Sequence, residues 1–218
     1  MRRSNPTLRR AVLFGTPLLY IVLGILHPME DPVLGEATGL FIGLHIAQMF
    51  LIAGLAYSLW LLVEGLESRA ATVTRVLIVP FVILYTTLDA IAGLGMGDLV
   101  RMANETSAAE KAVLGPFMDE LREPDPAGYV IWAGAGLSWF AAVLAATVAL
   151  RKLAPRGALV LMALGALVFA PGHPKPTGPI GMGLFLAGVA WLELRRQPAG
   201  AGRTATEVSG GQGAWQPL

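Results

Sequence analysis

The chain has 218 residues, 55% of them hydrophobic and 14% charged, with a formal net charge of +1 and a mean hydropathy of +0.61. Apolar windows of membrane-spanning length recur along it, which excludes a single soluble domain, and the near-neutral charge gives no support to nucleic-acid binding. It has no cysteine, which rules out disulfides, thiolate metal sites and cysteine nucleophiles.

The first element begins after "MRRSNPTLRR" with the apolar run "AVLFGTPLLYIVLGIL". No small-residue cleavage site follows, because His27 and Pro28 come next. The run is therefore read as an uncleaved first span over about 11–27. Further spans are predicted over about 39–63, 75–98, 128–150, 157–173 and 178–195. Backbone groups in lipid must satisfy one another, so apolar runs this long are helices. Pro80 is expected to kink the third span, and a Pro-rich turn makes the last two a hairpin. The expected fold class is all-α, a polytopic bundle of six transmembrane helices.

Lys and Arg set the orientation. Of the 16 such residues, only Arg101, Lys111, Arg122 and Lys175 fall in the segments around 28–38, 99–127 and 174–177. Those segments are expected to face outward from a cell membrane, with both termini cytoplasmic. The basic N-terminus covers 1–10, the bundle 11–196, and a disordered tail 197–218, which is rich in Gly, Ala, Ser and Thr.

Within the outer segment 99–127, Ser107 and Glu110 match a capping box. Val113, Leu114, Phe117, Met118 and Leu121 then recur at helical spacing, and Gly115-Pro116 would bend the helix. This predicts an amphipathic helix in the membrane interface, or a lid. Asn104 opens a glycosylation sequon.

The polar residues inside the spans are few. His27 ends the first span and His173 the fifth, each before a proline that disfavours helical geometry. His45 lies roughly 9 Å and Asp89 roughly 13 Å below the outer ends of their spans, at 1.5 Å per residue. Glu30, Asp31 and Asp98 rim the same end. An acid at mid-membrane must find a partner. Tyr85 and Thr86 share its face, as Gln48 and Met49 share that of His45, and a His45–Asp89 hydrogen bond is expected. The plain alternatives are a polar clamp between helices for that pair and helix-end anchoring for His27 and His173.

The candidate catalytic residues are Asp89, His45 and Tyr85, and the candidate cofactor or metal ligands are His27, His45 and His173. In the leading reading these make a metal- or haem-dependent enzyme acting on a lipid-like or quinone-like substrate. Zinc or copper would take the three imidazoles with Asp89 outside them, because bonds of about 2.0–2.2 Å cannot span all four depths. A haem would take His45 with His27 or His173, or with Met49 or Met96 as the axial ligand. Gly93, Gly95 and Gly97 would admit its flat face, or serve close helix packing. In a second reading Asp89, tuned by Tyr85 or His45, is the general acid of a metal-independent isoprenoid (terpene) cyclase. Trp132, Trp139 and Phe140 would then shelter cations, unless they only pack. A third is a small proton-coupled transporter, which a homo-oligomer would enlarge, or a structural membrane protein. Membrane lipid and a small hydrophobic molecule are the expected partners. No phosphate loop, Ser-His-Asp order or dinucleotide fingerprint appears.

Overall fold

In the computed structural model the described residues are 5–28, 37–110, 112–113, 116, 126–172 and 176–195. They form helices, with no strand among them. The helices are α1 (Pro6–Leu26), α2 (Thr38–Leu62), α3 (Arg69–Leu88), α4 (Met96–Asn104), α5 (Pro126–Leu150), α6 (Arg156–Phe169) and α7 (Thr177–Arg195). A π-helical stretch, Asp89–Gly95, joins α3 to α4 without a break.

Local chemistry explains the ends. The Thr7 amide donates to the Asn5 side chain at 2.9 Å, and Pro6 opens α1, where its missing N–H has no partner to lose. Pro28 holds His27 extended (φ −61°, ψ 122°), so α1 stops at Leu26. Ser68 caps α3, accepting from the Ala71 amide at 3.2 Å. The Ser107–Glu110 capping box forms as expected: the Ser107 amide donates to Glu110 at 2.9 Å, and the Glu110 amide to the Ser107 hydroxyl oxygen at 3.4 Å.

Five helical stretches are long and apolar enough to cross a membrane: Pro6–Leu26, Thr38–Leu62, Arg69–Asn104, Gly128–Leu150 and Thr177–Arg195. Large apolar side chains such as Phe50, Val76, Leu137 and Leu194 face outward, as suits lipid. Several boundaries differ from expectation, and the first span already starts at Pro6. The third span starts at Arg69, behind its Ser68 cap, and continues through 99–104, which were expected in the loop. The fifth is a helix of only 14 residues, ending at Phe169 ahead of Pro171. At 1.5 Å per residue it is about 21 Å long, against roughly 30 Å of hydrocarbon.

In the bundle α3 packs on α5, α6 on α7, and α1 on both α2 and α7. Trp139 is fully buried, its ring 5.0 Å from Phe81, 5.7 Å from Phe169 and 5.3 Å from Phe185. Trp132 is more exposed and donates from Nε1 to the Pro171 carbonyl at 2.9 Å. One end of the bundle carries Arg9 and Arg75. Arg9 pairs with buried Glu193 of α7 at 2.9 Å, approaches Glu64 at 3.8 Å and donates to the Leu61 carbonyl. Arg75 donates to the carbonyls of Val63 (2.9 Å) and Leu66 (3.0 Å) and lies over the Trp60 ring. Both cations sit where the dipole of α2 is negative.

Candidate functional site

The opposite end carries the histidines. His27 at the end of α1 and His45 in α2 are both buried, with ring centres 5.1 Å apart in an edge-to-face arrangement. Phe41 completes a triangle, 5.6 Å from His27 and 4.3 Å from His45. Each Nδ1 is engaged by a backbone carbonyl, Pro28 for His27 and Phe41 for His45, both at 2.8 Å. A carbonyl oxygen only accepts, so Nδ1 carries the proton and Nε2 the lone pair of each neutral ring. Beside the triangle is an open, apolar pocket lined by Pro28, Thr38, Phe41, Met96, Gly97 and Val100 among others.

Glycines set how closely α2 approaches the π stretch. A Cβ on Gly93 would fall 2.3 Å from His45 ring atoms, and one on Gly97 would fall 2.5 Å from Ile42. Gly95 faces elsewhere, with only the Ala90 carbonyl at 3.5 Å. The antiparallel register that places Gly97 opposite Phe41–Ile42 and Gly93 opposite His45 brings Asp89 level with Gln48 and Met49. A π turn holds about 4.4 residues where an α turn holds 3.6, and the mixture keeps Asp89, Gly93 and Gly97 on the α2 side.

Asp89 opens the π stretch and is buried. Tyr20 of α1 lies within electrostatic reach of Asp89 and of Tyr85, and Phe169 touches both tyrosine rings, at 5.3 Å from Tyr20 and 5.9 Å from Tyr85. Gln48 is fully buried, and no described residue hydrogen-bonds its side-chain amide. Below the histidine mouth, Asp89, Tyr85, Tyr20 and Gln48 therefore form a polar layer inside the bundle.

The structure thus brings His27 and His45 together, and Asp89 together with Tyr85, one helical turn deeper. The Nδ1 of His45 bonds its own helix at Phe41 rather than the Asp89 carboxylate expected from depth. Asp98 pairs with Arg101 at 3.0 Å on the exposed face of α4. His173, Glu30 and Asp31 lie outside the described residues, as do Leu114, Gly115, Phe117, Met118, Leu121 and the tail 197–218. Among the described residues no three His, Asp or Glu side chains gather as for a metal ion. Axial imidazoles on opposite faces of one haem iron would stand about 6.4 Å apart, given metal–nitrogen bonds of about 2.0–2.1 Å. The His27–His45 pair, at 5.1 Å, does not straddle a haem.

Sequence reasoning passed over Tyr20. Its signal was the buried face of α1, on which Arg9, Leu13, Thr16, Tyr20, Gly24 and His27 recur at three- and four-residue steps. It also passed over Glu193, a lone acid two residues from the end of its span. Comparison of the chain with family models, with curated proteins and with solved structures returns no match.

Proposed function

We propose that the chain is a multi-pass membrane enzyme acting on a lipid-like or quinone-like substrate, with Asp89 as its proton donor and acceptor. The carrying observation is the burial of Asp89 at the head of the π stretch, within reach of Tyr20 and in the layer below His45. Ionisable side chains inside membrane helices are expensive and mark functional sites, and π turns recur at such sites. Tyr85 and His45 orient the substrate, Tyr85 relays its proton, and the aromatic rings around Phe169 give an apolar surround that suits a lipid. In the metal-dependent form of this reading the ion sits on the two imidazoles. The isoprenoid-cyclase form uses the same Asp89 without one.

Six spans with both termini cytoplasmic go with this reading, α6 being the short partner in a hairpin with α7. The bias of Lys and Arg supports that orientation, which puts the histidine mouth on the outer side.

The test is mass spectrometry of total lipid extracts from membranes carrying the wild type or Asp89→Asn at equal, folded abundance. A lipid species converted by the wild type should stay unconverted in the variant. Identical lipid profiles, both differing from empty membranes in the same species, would remove Asp89 from the chemistry.

A further inference from the structure

We infer that the histidine mouth is a copper(I) site, in which Nε2 of His27 and Nε2 of His45 hold the ion and the Met96 thioether completes the set. Ring spacing is the first argument. Nitrogen–metal bonds of about 2.0–2.1 Å put each ring centre about 3.2 Å from the ion, and angles of 110–120° then separate the centres by about 5.2–5.5 Å. The observed spacing is 5.1 Å. The second argument is the tautomer. Imidazole ligands almost always give the other ring N–H to a carbonyl or carboxylate, which fixes ring orientation and raises basicity. Here the two rings do so through Nδ1, each at 2.8 Å from a backbone carbonyl. Both are thus already set as Nε2 ligands.

The neighbours select the ion. Met96 is buried three residues beyond Gly93, and it lines the pocket with Pro28 and Phe41. Two imidazoles and a thioether are neutral, and thioether softness selects copper(I). The penalty for taking an ion out of water grows with its charge, so an apolar mouth favours a singly charged ion over zinc. Phe41, packed on both rings, shields the ion from water.

The inference shares its location with the reading above but does not depend on Asp89 as an acid. The experiment titrates the full chain, purified in detergent, with copper(I) against the coloured chelator bicinchoninate. The wild type is expected to withdraw one copper(I) per chain. His27→Gln and His45→Gln are each expected to weaken binding at least tenfold and Met96→Ile several-fold, while Asp89→Asn stays within twofold of wild type. Failure of the wild type to withdraw copper overturns the inference, and so does full affinity in folded His27→Gln and His45→Gln. If those two variants do not fold, nitrogen-15 histidine spectra of the wild type decide. Copper(I) should move the Nε2 signals of His27 and His45 and leave both Nδ1 protons in place; unmoved Nε2 signals overturn the assignment. Copper binding beside an Asp89→Asn variant that still converts lipid would sink the proposed chemistry and leave the copper site standing.

Discussion

At the scale of single residues, the site depends on which glycines face α2. The sequence shows Gly93, Gly95 and Gly97 as one run, and only the register separates them. His45 lies directly over Gly93, while Gly95 has room. Gly93→Ala is therefore expected to destabilise the protein by about 1–3 kcal/mol, the usual range for overpacking, because the His45 ring must move. Gly95→Ala should be neutral or stabilising by up to about 0.5–1 kcal/mol, since alanine suits a helix better. Thermal unfolding of the two variants in one detergent checks this, and equal losses would mean that the Gly93–His45 contact is misplaced. His45 and Asp89 were legible because an ionisable residue stands out in an apolar run. Their hydrogen bonding was not, because depth fixes a level in the membrane and not the direction of a ring. Nδ1 of His45 reaches the Phe41 carbonyl one turn back on its own helix.

At the scale of elements, helix boundaries followed from caps and prolines, and small residues decide which helices touch. The α6–α7 hairpin was legible from its Pro-rich turn, but its closeness comes from Gly165, Gly181 and Gly188. A Cβ on Gly181 would lie 2.6 Å from the Phe169 amide nitrogen, and one on Gly165 2.5 Å from that of Phe185. Backbone cannot step aside as a side chain can. Gly181→Val should cost about 2–4 kcal/mol, whereas Gly183→Ala, with nothing within 4 Å, should leave the melting temperature nearly unchanged. The two melting curves, run side by side, are the check; coincident curves would mean that the two helices do not meet at Gly181. The capping box gives a prediction in pH. Glu110 accepts from the Ser107 hydroxyl and then from its amide, and both hold its carboxyl below the usual value of 4.5. The folded value is depressed, so the cap is fully present above that usual value and is lost as pH falls through the lowered one. The Ser107 amide shift should titrate at that lower pH, and a midpoint at or above 4.5 would contradict the cap.

At the scale of the whole molecule, hydropathy made the helical membrane architecture legible, but it could not show what ties the helices together away from the histidines. Charge counting treats Arg9 as a topology signal alone. In the structure it reaches Glu193 of α7 at 2.9 Å and the Leu61 carbonyl of α2, so one side chain links three helices at the end opposite the site. Nothing in the local sequence of either residue names the other, since they lie 184 positions apart. Removing one partner of a buried ion pair strands the other charge, at a cost of about 3–5 kcal/mol; removing both for apolar groups of similar volume is often neutral or stabilising. Arg9→Met alone should therefore lose about that much. Glu64, 3.8 Å from the Arg9 guanidinium, is a second carboxylate and cannot stand in for the lost cation. The Arg9→Met, Glu193→Leu double variant should regain most of the loss. A double-mutant cycle by chemical denaturation in mild detergent measures the coupling. Additive losses would show that Arg9 acts mainly by capping the carbonyls of α2, in which case Arg9→Met should cost the same with or without Glu193.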